Sequence, residues 1–182
     1  MVAYNSNTYL IDKTEIKIRN LEPDDVESYL NFSEMISTET PHTLYYPGQI
    51  MDLNTIKTKF HIAASSAGTI ELGGFKDDKL ISLLSLYKTR PYHPFEMHTG
   101  EFAIRILKDY CGKGLGSEKI LLMEDIARTM NILRLQARVR ITNFSAVKFY
   151  QKHNYEIEGT KKNAVFINGS FEDEYYIAKI LR

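Results

Sequence analysis

Cysteine is nearly absent. Cys111 is the one thiol among 182 residues, so the chain can close no disulfide on itself, and no Cys/His cluster has the spacing a zinc site demands. Long apolar runs are missing too. Nowhere do eighteen apolar residues follow one another, and the start Met1-Val2-Ala3-Tyr4-Asn5-Ser6 has neither the basic segment nor the apolar run of an export signal. The expected setting is therefore a reducing cytoplasm, with no membrane partner. Neither charge is in excess: Lys plus Arg and Asp plus Glu each total 23, so the chain lacks the overall positive field that attracts nucleic acid regardless of sequence. Repeats, low-complexity stretches and Pro/Ser-rich linkers are likewise wanting. These absences leave one globular domain over 1–182, with residues 1–14 read as a flexible or loosely attached lead-in.

What is present suffices for a core. Apolar residues make up 43% of the chain, enough for one sizeable interior in a chain of this length. Charge is unevenly spread: residues 108–162 hold 11 basic and 6 acidic side chains, the remainder 12 and 17. That distribution fits a polyanion near the basic stretch about as well as it fits ordinary surface scatter.

The periodicities alternate between strand and helix. Glu15 to Arg19 reads as a short strand, and Pro23 suits the first turn of a helix that carries Val26, Tyr29, Leu30 and Ser33 on one face and stops before Pro41. Asp52 is placed to cap a second helix with the stripe Leu53, Ile56, Phe60, Ala63, Ala64 and Ala67, ended by Gly68. Thr69–Phe75 and Leu80–Tyr87 flank Lys76-Asp77-Asp78-Lys79 as a hairpin. After a loop over 88–98 come a strand over 99–107, a helix with Ile120, Met123, Ile126, Ala127 and Met130 on its apolar face, and a strictly alternating strand over 133–141. A short helix over 144–153 follows, with Asn143 as its cap. A long hairpin around Asn168-Gly169 closes the chain, because both central residues of its turn want positive φ. The class is mixed α/β.

Between the strand over 99–107 and the next helix lies Tyr110-Cys111-Gly112-Lys113-Gly114-Leu115-Gly116-Ser117. A glycine-rich turn that opens a helix gathers unpaired N–H groups at the positive end of the helix dipole, which is an anion cradle. It lacks the Gly-Lys-Ser/Thr of a Walker loop, and Ser117 stands where a dinucleotide fingerprint needs its third glycine. A structural turn that needs flexibility could use the same residues.

The order strand, Gly112-Lys113-Gly114-Leu115-Gly116, helix, strand, then Asn143-x-x-Ala146-x-x-Phe149-Tyr150-x-Lys152, resembles the GNAT superfamily of N-acetyltransferases over nearly the whole chain. The resemblance implies a central, mixed, mostly antiparallel twisted sheet of about seven strands flanked by about four helices. It implies acetyl-CoA as cosubstrate and no metal. Backbone amides of Cys111, Gly112, Lys113, Gly114, Leu115, Gly116 and Ser117 would bind the pyrophosphate. The pantetheine arm would lie along Ile104 and Ile106, and Asn143 would hydrogen-bond the coenzyme. Two positions depart from the family: Cys111, where Arg or Gln is usual, and Asn154, where Gly is common. Contact through backbone N–H tolerates the first, and asparagine's ease in the left-handed region tolerates the second.

The implied activity moves an acetyl group from the thioester directly onto a primary amine: a polyamine, aminoglycoside, amino acid or protein N-terminus. Such transfer needs a neutral amine, a polarised carbonyl and a proton for the departing thiolate. By the resemblance Tyr150 supplies the proton, although its place on an apolar helix face suits a core residue as well. Glu101, near the start of the strand beside the thioester, is the first choice of base; a solvent-exposed carboxylate with ordered water in its stead is the other reading. Acceptor choice falls to the stretch Glu39–Pro47, the loop over 88–98 and the closing hairpin, whose exposed edge also suits a homodimer. A metal held by His93 and His98 is a long shot, because no carboxylate or Cys completes the set. The alternatives are a non-catalytic acyl-CoA sensor of the same fold, against which Tyr150 argues, and a nucleotide-binding module.

Overall fold

The computed structural model describes residues 4–49 and 51–181. Strands β1 (Asn5–Tyr9) and β2 (Glu15–Asn20) are followed by helices α1 (Val26–Glu39) and α2 (Leu53–Ser65). Then come β3 (Thr69–Lys76), β4 (Lys79–Lys88), β5 (Thr99–Ile106), α3 (Leu115–Thr129), β6 (Arg134–Arg140), α4 (Phe144–Lys152), β7 (Glu156–Ile167) and β8 (Ser170–Ile180). The strands hydrogen-bond in the order β1-β2-β3-β4-β5-β6-β8-β7. Among the described residues the sheet thus has eight strands rather than about seven, while the four helices are as expected. The additional strand is β1, which lies inside the segment read as a loose lead-in. It pairs antiparallel with β2 from Asn5↔Arg19 to Tyr9↔Glu15. Residues 1–3 of that segment lie outside the described residues.

By contact the chain falls into two compact units, Met1–Tyr87 with Ala103–Ile126, and Lys88–Phe102 with Ala127–Arg182. In the first unit, α1 starts behind a turn of 3-10 helix at Pro23–Asp25. The Glu22 N–H donates to Asp25 Oδ2 at 2.8 Å, and Arg19 grips both Asp25 oxygens. Burial pushes the Asp25 carboxyl up, yet the Arg19 fork and the Glu22 N–H outweigh it and hold the group below the ordinary range. Asp52 caps α2 by accepting from the Thr55 N–H at 2.7 Å. The buried face of α2 is Ile56, Phe60 and Ala63. The helix stops at Ser65, so Ala67 falls beyond the stripe assigned to it, and Ser66 rather than Gly68 ends the helix. Leu53, also assigned to it, is exposed. The β3–β4 hairpin turns on Asp77 and Asp78, both at positive φ.

In the second unit, β6 buries Leu135, Ala137 and Val139 and pairs antiparallel with β8 along its length. Leu133, counted in the alternation, is exposed and precedes the strand. The β7–β8 hairpin turns on Asn168 (φ 50) and Gly169 (φ 80), as the turn chemistry requires. Asn154 after α4 takes φ 63, the left-handed conformation anticipated for it.

Candidate functional site

The glycine turn folds as a cradle. Gly112 and Gly114 adopt φ of 72 and 94, where a Cβ is strained, and α3 begins at Leu115. Among the described residues the N–H groups of Gly112, Lys113, Gly114, Leu115 and Gly116 donate no main-chain hydrogen bond, whereas the Cys111 N–H already donates to the Lys108 carbonyl at 3.0 Å. Five adjacent amides at a helix N-terminus suit a polyphosphate. The turn is held from outside. The Ile11 N–H donates to the Lys113 carbonyl at 3.0 Å, and Lys113 Nζ pairs with Asp12 at 2.9 Å. That ammonium holds the exposed Asp12 carboxyl far below its usual range, with Thr14 assisting.

The Cys111 thiol donates to the Ile106 and Leu107 carbonyls at 3.6 Å. Burial and then the Glu39 charge push its pKa up, so the helix N-terminus does not activate it. The thiol is therefore not an activated nucleophile, and the Cys111 N–H expected to bind the pyrophosphate is instead taken by the Lys108 carbonyl. Glu39 also accepts from the Lys108 N–H at 2.8 Å.

Strand β5 pairs in parallel with β6 only from Thr99↔Arg134 to Glu101↔Gln136. Ile104 and Ile106 follow the last of these pairs. Strand backbone can hydrogen-bond amides laid along it. Glu101, half-buried, sits at the last pair.

Tyr150 is 9% exposed and packs edge-on against Phe102 and Tyr155, each at 5.8 Å between ring centres, and against Phe149 at 5.4 Å. It is the buried residue of α4; Ala146, Phe149 and His153, placed on the same face, are half-buried. Asn143 caps the helix as expected, accepting from the Ala146 N–H at 3.2 Å and from Ser145 Oγ at 3.0 Å. His93 and His98 join no metal cluster among the described residues. No described helix is long and apolar enough to cross a membrane.

Sequence reasoning missed a cavity of about 250 Å³ beside α1, lined among others by Glu34, Tyr45, Tyr46, Gln49, Leu30 and Met51. Glu34 accepts from the Gly48 N–H at 3.2 Å, and Gln49 Oε1 is buried without a donor among the described residues. Among the described residues the cavity's lining includes no cationic side chain. The Tyr45 hydroxyl is 2.7 Å from that of Tyr29, and the Arg105 guanidinium stands 5.0 Å from the centre of the Tyr45 ring. Tyr45 and Tyr46 lie within the stretch proposed for acceptor choice, but Glu34 on an ordinary helical surface gave no signal. Nearby, Glu71 is 4% exposed, pairs with Lys59 at 2.9 Å and accepts from Ser85 at 2.7 Å.

Comparison with known proteins shows the family. A family model described as "Acetyltransferase (GNAT) family" matches residues 34–155. An L-amino acid N-acetyltransferase of Escherichia coli K12 is 30% identical over 88 residues, 48% of this chain and 54% of that protein. A spermidine N(1)-acetyltransferase of the same strain is 34% identical over 74 residues, 40% of each. The chain spans about half the length of the curated relatives it matches. A GNAT-family acetyltransferase from Streptococcus pneumoniae superposes with a TM-score of 0.84 at 29% identity, covering 92% of this chain and 99% of that one. A Salmonella typhimurium protein solved with its cofactor acetyl-CoA shares the fold at a TM-score of 0.77 and 14% identity, covering 92% and 94%.

Proposed function

The chain belongs to the GNAT acetyltransferase family, and from that premise we propose that it moves an acetyl group from acetyl-CoA onto a primary amine that is cationic in solution. The observation that carries this reading is the row of undonated N–H groups from Gly112 to Gly116, followed directly by α3. Acetyl-CoA supplies the activated acyl group and a thiolate leaving group. The chain's own residues do the rest. The turn over Cys111–Ser117 binds the pyrophosphate through the Gly112–Gly116 amides, and the backbone at Ile104 and Ile106 orients the arm, with the N–H near Ile106 polarising the carbonyl. Glu101 takes a proton from the ammonium, and Tyr150 holds one at its hydroxyl for the sulfur. Asn143 adds a contact to the coenzyme through the side chain that also caps α4.

The cavity beside Glu34 supports a cationic acceptor. A carboxylate, an undonated amide oxygen and two tyrosines, with no opposing cation in the lining, suit an ammonium on a short apolar chain. The names of the spermidine and amino acid relatives point to the same class of substrate. A thiol-release assay with acetyl-CoA across polyamines, amino acids, aminoglycosides and peptide N-termini tests this. At least one of these amines is expected to turn over, and Tyr150→Phe to lower kcat by about 10²-fold, the range of a general acid. Silence from every amine refutes the enzyme reading and favours a non-catalytic sensor. Full turnover by Tyr150→Phe removes that residue from the chemistry.

A further inference from the structure

Lys119 is left over by the chemistry above. Its side chain is wholly buried, and its Nζ has no hydrogen-bond partner among the described residues. It stands in the apolar stripe of α3, four residues before Met123 and seven before Ile126. There it reaches toward β2, β3 and β4: a Cβ added at Gly74 would lie 3.6 Å from Lys119 Cε, 2.2 Å from Ser82 Oγ and 3.4 Å from the Ile16 side chain. Among the described residues Ser82 Oγ is itself buried without a partner. Glycine at 74 thus leaves room for the Ser82 hydroxyl, while Lys119 Cε lies at ordinary contact distance.

The surrounding charges point elsewhere. On β2, Glu15 and Lys17 are exposed on the face opposite Ile16. On β3, Glu71 lies three residues from Gly74, hence on the other face, and is paired with Lys59; Lys76 is paired with Asp77. On β4, Lys79 lies three residues from Ser82 and is exposed. On α3 itself, Glu118 adjoins Lys119, and Glu124, Asp125 and Arg128 follow more than a turn later. None of these shifts the Lys119 amine, which burial alone lowers to about 7.

Its position along the helix gives this burial a consequence. The first turn of α3 provides the cradle amides, and from Leu115 to Lys119 the axial rise is only about 6 Å. The partial positive charge of the helix N-terminus and a buried ammonium therefore oppose each other. An anion held within roughly 10 Å, at an effective dielectric of about 20, favours the protonated amine about tenfold per charge. We propose that Lys119, buried and, among the described residues, unpartnered one turn behind the cradle, is the internal counter-charge of the coenzyme site: its amine gains a proton when the turn takes up a pyrophosphate. The inference rests on the coenzyme reading under Proposed function. It makes Lys119 a positioning residue that acts through the charge of α3 without touching the ligand.

Calorimetric titration of the full chain with acetyl-CoA tests it, in two buffers of different ionisation enthalpy. A pH of about 8 lies above the second ionisation of a phosphate at about 6. It also lies below the Cys111 thiol, which is raised from 9.0. Wild type is expected to take up between about half and one proton per coenzyme, and its Kd to rise several-fold from about pH 7.5 to 8.5 as the protonated fraction falls. Lys119→Met is expected to lose both effects. Equal uptake by the two proteins overturns the proposal and leaves the coenzyme reading standing. Failure of both to bind acetyl-CoA overturns the two together. Carbon-13 NMR of the wild-type lysine side chains decides the matter without a variant. A resonance titrating near 7 is expected to move up by about one unit or more with coenzyme bound, and one that stays in place refutes the proposal.

Discussion

Lys119 shows how a single residue can depart from the pattern around it. Its spacing to Met123 and Ile126 places it on the buried face of α3, yet an amphipathic reading passes over a lysine, since lysines on helices are nearly always solvated. The stability consequence has a definite sign. The amine ionises at about 7 in the folded chain and near the ordinary lysine value of 10.5 when unfolded. Between these values the unfolded state binds more protons, so stability rises with pH across that window and carries the full penalty below it. Lys119→Met is therefore expected to stabilise the protein by about 2–4 kcal/mol at neutral pH. The gain should shrink toward pH 10, as urea denaturation at a series of pH values would record. A constant or absent gain would mean that the lysine is solvated or paired. Tyr150 illustrates the opposite problem. Its helical spacing to Ala146 and Phe149 predicted burial, and burial among Phe102, Phe149 and Tyr155 followed, but a buried tyrosine serves a core and a proton donor equally well.

Among the elements, those with strong local signals were readable. Asp52 and Asn143 cap the helices assigned to them because a short side-chain oxygen meets an orphan N–H at each start. Asn143→Ala is expected to cost about 1 kcal/mol; an unchanged urea midpoint would show that the cap contributes nothing. The hairpin turn at Asn168-Gly169 was legible because positive φ is confined to few residue types, and that at Asp77-Asp78 because a polar stretch parts two apolar runs. Strand β1 was not. Its sequence Asn-Ser-Asn-Thr-Tyr carries almost no apolar signal and is held by main-chain pairing to β2, a tertiary effect invisible to a local pattern. The overrun of α2 has a comparable origin: Ala64 and Ala67 extend the helical period, but Ser66 turns to extended backbone and ends it.

For the molecule as a whole, fold and family follow from elements in a recognisable order, and the eight-stranded sheet bears out the mixed α/β class. The cradle was legible because glycine spacing at a strand-to-helix junction has few physical uses. The cavity beside Glu34 was not, since it is made by a loop folding back on α1 and leaves no periodic trace. Both the acyl-transfer reading and the role of Lys119 depend on what the amides after residue 111 hold. Amide-resolved NMR during titration with acetyl-CoA addresses that directly. The N–H signals of Gly112 through Gly116 are expected to move downfield together, saturating at one coenzyme per chain, as a pyrophosphate accepts from them. Signals that stay fixed while acetyl-CoA is added to saturation would contradict the account.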